Sequence, residues 1–113
     1  MIERAAIEQI IAQYEKHGWS LRRVLLSKNL GNEFDDGLFG DAASLPSELD
    51  GLWFSRSSRP DSTAWELRHL SDTPYALVAG VPAGRAPAEA DLILKETEAR
   101  MLAVVQTRKT SAN

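Results

Sequence analysis

The order of apolar patterns along the 113 residues predicts an α+β fold. Helical periodicity marks both ends of the chain, and four short apolar runs bounded by turn residues lie between them. Helices separated in sequence from a series of strands are typical of a two-layer domain. We therefore expect a mainly antiparallel four-stranded sheet with both helices packed on one face, in the order α-β-loop-β-β-β-α.

Residues 2–17 form the first predicted element, an amphipathic helix. Its apolar side chains recur at spacings of three and four and are Ile2, Ala6, Ile7, Ile10, Ile11 and Tyr14. His17 lies in the last turn, where the helix dipole favours a cation, and Gly18 supplies a left-handed stop. The helix should therefore end immediately before Trp19.

Residues 19–27 form the first predicted strand, although their apolar alternation is imperfect. The pattern does not decide which side faces the core, and Arg23 interrupts the more apolar side. One alternative keeps this strand away from the others and pairs it with a second copy of the chain.

Residues 28–50 differ in character, because six acidic side chains accompany a single lysine. The whole chain has a net charge of -3, so its acidity comes from this segment. Several leucines and phenylalanines make it too apolar for a free linker. We expect an ordered loop with a turn at Asp36-Gly37 and a short helix or helical turn near residues 46–50.

Residues 51–56, 64–70 and 75–81 predict a three-stranded meander. The seven residues between the first two strands are too many for a tight hairpin. The nearly continuous apolar run at 75–81 indicates burial on both faces or a contact with another subunit.

Residues 88–106 form the second predicted helix, which follows Pro87, a residue suited to a first helical turn. Its apolar stripe is wider than a surface helix needs and comprises Ile93, Leu94, Met101, Leu102, Val104 and Val105. We expect one domain over residues 1–107 and a flexible tail over residues 108–113.

Composition excludes several classes of protein. Without cysteine there is no disulfide framework, thiolate nucleophile or cysteine-ligated zinc, and two histidines are too few for a histidine-rich metal site. No apolar window approaches the ~20 residues of a membrane span, and the N-terminus does not resemble a signal peptide. We expect a soluble cytoplasmic protein with no metal and no cofactor.

Chemically useful side chains concentrate in the predicted meander. We select Trp53, Arg56, Arg68 and His69 as candidate ligand-binding residues, the arginines to bind an anionic group. Strand alternation places His69 on the face opposite Glu66 and Arg68, so we assign no catalytic residue. An ion pair of Glu66 with Arg56 or Arg68 is the expected structural role of these charges.

The leading functional hypothesis is a non-enzymatic binding or regulatory module that self-associates, most simply as a homodimer. It rests on the wide stripe of the second helix, the run 75–81, and the tryptophans Trp19, Trp53 and Trp65. The first alternative is a small anionic-ligand-binding protein or small enzyme with its site between the sheet and residues 28–50. The second is single-stranded nucleic-acid binding on the sheet, which the net acidity disfavours.

Overall fold

A computed structural model describes residues 3–28, 30, 38–59, 62–71, 75–82 and 84–111. Within them the chain forms two long helices, α1 and α2, and five strands, β1 to β5. Their bounds are α1 Arg4–Lys16, β1 Ser20–Leu26, β2 Ala43–Pro46, β3 Gly51–Arg59, β4 Ser62–His69, β5 Ala76–Pro82 and α2 Pro87–Ser111. The strand order in the sheet is β2-β1-β3-β4-β5.

The α+β class and the mainly antiparallel sheet are confirmed, but the sheet has five strands where we expected four. The additional strand, β2, lies in the segment predicted to be a loop and runs parallel to β1. All four of its residues are exposed, and a stretch as short as Ala43–Pro46 has too little alternation to predict a strand. Glu48 and Leu49 form a bend where a helical turn was expected near residues 46–50, and Asp36-Gly37 lies outside the described residues.

The two helices pack on opposite faces of the sheet, so the expectation of a single helical face was wrong. Ile7 of α1 packs with Leu52 and Phe54, whereas Leu94 of α2 packs with Trp53. Successive side chains of a strand point to opposite faces. The apolar run Leu52-Trp53-Phe54 in β3 therefore needs a cover on each face, and one helix supplies each.

The first predicted strand belongs to the sheet of its own chain. β1 is antiparallel to β3, with Val24 opposite Leu52, so the alternative of pairing with a second copy was wrong. The register shifts between Leu21 and Arg23. Such an irregularity moves the following side chains to the other face, which explains the imperfect alternation in the sequence.

The hairpin between β3 and β4 is tighter than predicted. Ladder pairing continues through Ser57 opposite Thr63 and Arg59 opposite Ser62, so residues 60–61 alone connect the strands, and they lie outside the described part. Backbone pairing needs no apolar side chain, so the polar ends of both strands have the sequence pattern of a loop. Likewise, α2 continues past residue 106 to Ser111, because no glycine or proline stops it.

The wide apolar stripe of α2 is used within the chain. Leu94, Thr97 and Met101 are almost fully buried, and Ile93 and Val105 pack beside them. The tryptophans are also internal or partly so. Trp53 is fully buried beneath α2, and Trp19 and Trp65 are half-buried against the two cores. Two of the three observations behind the self-association hypothesis are therefore explained by intramolecular packing.

Candidate functional site

The four candidate residues are not brought together. Trp53 and His69 lie on the α2 face of the sheet, whereas Arg56 and Arg68 lie on the α1 face. In the register between β3 and β4, Arg68 lies opposite Leu52 and therefore shares the α1 face with it. A single pocket containing all four side chains is therefore not formed, and their binding role remains a prediction.

Trp53 has a structural environment. Its side chain is fully buried, its ring meets Trp65 edge-on at 6.0 Å, and its Nε1 donates a hydrogen bond of 2.8 Å to Glu98 Oε2 on α2. The buried indole N–H thus has a charged acceptor, and the bond fastens α2 to the central strand. No surface of this ring remains for a ligand.

Arg56 is exposed near the far end of β3, away from Arg68. Its guanidinium stacks over the Trp19 ring at 4.7 Å, and its Nη1 donates to the His17 carbonyl oxygen at 3.2 Å. It therefore caps the end of α1 by a cation–π contact and a backbone hydrogen bond. The ion pair of Arg56 or Arg68 with Glu66 is not present among the described residues.

Glu66 instead faces α1 and accepts a hydrogen bond from the Tyr14 hydroxyl. The Tyr14 ring stacks on Phe54 with a centroid separation of 4.0 Å and an interplanar angle of 6°. Burial, followed by the hydrogen bond to the Glu66 carboxylate and its negative charge, raises the pKa of Tyr14 above its ordinary value, and Arg68 opposes this shift. Tyr14 therefore acts as a neutral donor that lies between the sheet and α1.

Arg68 lies beside a groove of about 430 Å³ between α1 and the end of β4. The groove is lined by Ala6, Gln9, Ile10, Gln13, Tyr14, Arg68 and Ser71. Arg68 Nη1 also donates to the carbonyl oxygen of His69. The His69 ring, on the other face, is within 3.1 Å of the Ser71 hydroxyl through Nδ1.

A second cavity, of about 490 Å³, lies between α1, β1 and residues 38–42, where the alternative hypothesis placed a ligand site. Its lining combines the apolar Leu21 and Phe39 with the charged Glu15, Arg22 and Asp41. None of the four candidate residues lines it. The sequence therefore indicated this region through its unusual composition but did not identify the residues that form the cavity.

The open edge of β5 is the other prominent feature. β5 pairs along its whole length with β4 and ends the sheet on its other side. Val78 points to the α1 face, beyond the cover of α1, and is 62% exposed. The sequence indicated this feature, because the run 75–81 predicted either burial on both faces or contact with another subunit.

Beside this edge, a groove of about 680 Å³ separates β5 from α2. Ala79, Gly80, Ile93 and Ala99 contribute apolar or small surface, and Glu96 and Arg100 contribute charges of opposite sign. Sequence pattern alone does not indicate Glu96 and Arg100, because their proximity to β5 depends on how α2 crosses the sheet.

The described residues contain no group of three His, Asp or Glu side chains arranged to hold a metal ion. Neither helix, over the part described, carries an apolar stretch of the length that a bilayer span requires. Arg23, one of the cations considered for nucleic-acid binding, forms an ion pair of 2.6 Å with Asp91 on the α2 face, away from Arg56 and Arg68.

No protein-family model matches the chain, and neither a curated protein nor a solved structure is detectably similar to it.

Proposed function

We propose that the chain is a non-enzymatic binding module that self-associates as a homodimer through the open edge of β5. The observation that carries the proposal is the chemistry of this edge. Its seven residues, Ala76–Pro82, include no charged side chain, and every one of them has a partner in β4 on the other side. The outer backbone groups of such a strand form a template for another strand.

The opposite edge of the sheet is constructed differently. β2 has four residues and ends at Pro46, which has no N–H to donate. Short edge strands and proline are common protections against unwanted pairing, as are charged side chains. β5 is longer, its only proline is its last residue, and it exposes Val78. The contrast favours β5 as the edge that is covered in the working protein.

A second copy of the chain is the partner that best fits this edge. Antiparallel pairing of β5 with its own copy requires a two-fold axis perpendicular to the sheet, so the two α2 helices lie side by side and antiparallel on one face. Glu96 and Arg100 are one helical turn apart on the groove between β5 and α2. In this arrangement Glu96 meets Arg100 of the partner subunit, and the exchange occurs twice. The surface is thus complementary to itself in backbone pairing and in charge.

The first test is the mass of the chain in solution. Sedimentation equilibrium from 1 to 200 µM should give a concentration-dependent dimer for the natural chain. Val78→Lys should give a monomer, because each lysine would then lie close to its symmetry mate. Leu45→Lys is the matched control, since Leu45 is a 40% exposed apolar residue on the β2 edge. A monomer at every concentration, or equal effects of the two lysines, would contradict the proposal.

The second test examines the predicted charge exchange. Glu96→Arg should weaken the dimer about tenfold or more by placing like charges across the axis. Adding Arg100→Glu in the same chain reverses both charges and should restore the affinity. Failure of the double variant to recover would reject this geometry of self-association.

We further propose a cytoplasmic location, with which the absence of cysteine is compatible.

A further inference from the structure

The groove between α1 and the end of β4 is separate from the β5 edge and carries a different chemistry. Arg68 is the one charged residue in the lining of this groove, among the residues that the structure describes. The other polar lining groups are the two amides Gln9 and Gln13, the Tyr14 phenol and the Ser71 hydroxyl. A half-buried cation surrounded by neutral groups produces a positive potential at the groove surface.

Among the residues that the structure describes, Arg68 has no ion-pair partner. Glu66 is two residues away on the same face, but its carboxylate accepts the Tyr14 hydroxyl and does not line the groove. One guanidinium nitrogen, Nη1, donates to the His69 carbonyl oxygen, and a guanidinium has five N–H donors. Donors therefore remain for an anion.

The rest of the groove restricts the kind of anion. The planar guanidinium fork matches the two oxygens of a carboxylate. Ala6 and Ile10 add apolar surface next to it, and a volume of about 430 Å³ is within the range of small-molecule sites. We infer that the groove binds a small organic carboxylate, its carboxylate held by Arg68 and its body lying against α1. Gln9 and Gln13 would supply further hydrogen bonds from the helix.

Benzoate is a suitable probe, because it combines a carboxylate with a compact apolar body. Titration at constant ionic strength, followed by the side-chain NMR signals of Arg68, Gln9 and Gln13, should give saturable shifts. Arg68→Gln should weaken binding about tenfold or more by removing the charge-assisted pair. Arg85→Gln is the matched control, since Arg85 is exposed and pairs with Glu89 on another part of the molecule. It should leave the affinity unchanged.

Two further measurements keep the inference falsifiable if Arg68→Gln perturbs the fold. Arg68→Lys retains the charge but loses the fork, and it should bind benzoate several-fold more weakly than the natural chain. Inorganic phosphate at the same concentration should bind more weakly than benzoate. Absence of saturable shifts, equal binding by Arg68→Gln and Arg85→Gln, or phosphate binding as tight as that of benzoate would each overturn the inference.

Discussion

β3 and β5 are both apolar in sequence, yet the fold covers only β3 on all sides. Gly51–Ser55 of β3 are buried throughout, with β1 and β4 as neighbours and a helix on each face. β5 has one neighbouring strand and one helix, and Val78 is exposed on the remaining face. An apolar run therefore indicates that a strand is buried on both faces, but the burying surface need not belong to the same chain.

The largest effect expected from this comparison is at Trp53. Trp53→Ala removes a fully buried indole, its edge contact with Trp65 and its hydrogen bond to Glu98. The free energy of unfolding should fall by about 3–5 kcal/mol, as for other buried aromatic truncations. Urea unfolding followed by circular dichroism measures this loss. A loss of only about 0.5 kcal/mol, the level of surface substitutions, would show that β3 is not the packed centre.

The same comparison shows how much of the fold could be predicted from sequence. The spacing in α1 and the stop at Gly18 were sufficient to place that helix, because they depend on local geometry alone. The positions of the helices on the two faces depend on β3, because its unbroken apolar run Leu52-Trp53-Phe54 needs a cover on each side. β2 could not be predicted, because its four exposed residues are held by backbone pairing to β1.

The candidate site was harder to predict, because it depended on register. A two-residue connection alone would place Trp53 opposite Arg68, and the register shift between Ser57 and Arg59 moves its partner to Leu67. The sequence does not specify this shift, and a predicted loop of seven residues leaves the register open. The face of each strand residue relative to its neighbours was predictable, and the separation of His69 from Arg68 is confirmed. The position of Tyr14 over Glu66 was not, because it depends on how α1 crosses the sheet.

Tyr14→Phe should produce the next largest loss of stability. Tyr14 lies on the α1 face, where α1 contacts Glu66 of β4. Loss of the hydrogen bond to Glu66 should lower the free energy of unfolding by about 0.5–1.5 kcal/mol near neutral pH. The ring stack on Phe54 is retained in this variant, which isolates the hydroxyl. Thermal unfolding of both chains at pH 7 measures the difference. Equal stability would contradict a bonding role for the phenol.

The hydrogen bond between Tyr14 and Glu66 also predicts how the stability of the fold depends on pH. The folded-state pKa of Tyr14 is raised above its ordinary value near 10, so its contribution is fully present below that pH and is lost as pH rises above it. The natural chain should therefore lose stability more steeply than Tyr14→Phe above pH 10. Tyrosinate absorbance is the second measurement. A Tyr14 that ionises near pH 10 while the chain stays folded would contradict the environment described for it.

Val78→Ala in β5 should have a smaller effect on the fold itself. The side chain is 62% exposed, so truncation should change the stability of the isolated chain by no more than about 0.5 kcal/mol. In contrast, any dependence of the unfolding midpoint on protein concentration should weaken, because that dependence reports association. Thermal scans at 2 and 200 µM separate these two effects. A large loss at the lower concentration would mean that β5 is covered within the chain after all.

The smallest effect on stability is expected at Asp91 of α2, which forms an ion pair with Arg23 of β1. The hydrogen bond from Arg23 and its positive charge hold the pKa of Asp91 below its ordinary value. The contribution of this pair is therefore present above the ordinary carboxyl pKa and is lost as pH falls through the lowered one. Asp91→Asn should reduce stability slightly at pH 7, and the two chains should converge in acid.

High salt should have the same effect as acid on this pair, because exposed charges are screened. Unfolding midpoints at pH 7 in 0.05 and 1 M sodium chloride provide the test. Glu89→Gln is the control, because it removes an exposed ion pair with Arg85 at the start of α2. A salt-independent difference between Asp91→Asn and the natural chain would mean that Asp91 acts through packing. In that case packing by the first turns of α2, together with Trp53 and Glu98, would hold the helix on β3. The difference between the covered strand β3 and the partly exposed strand β5 would then be larger.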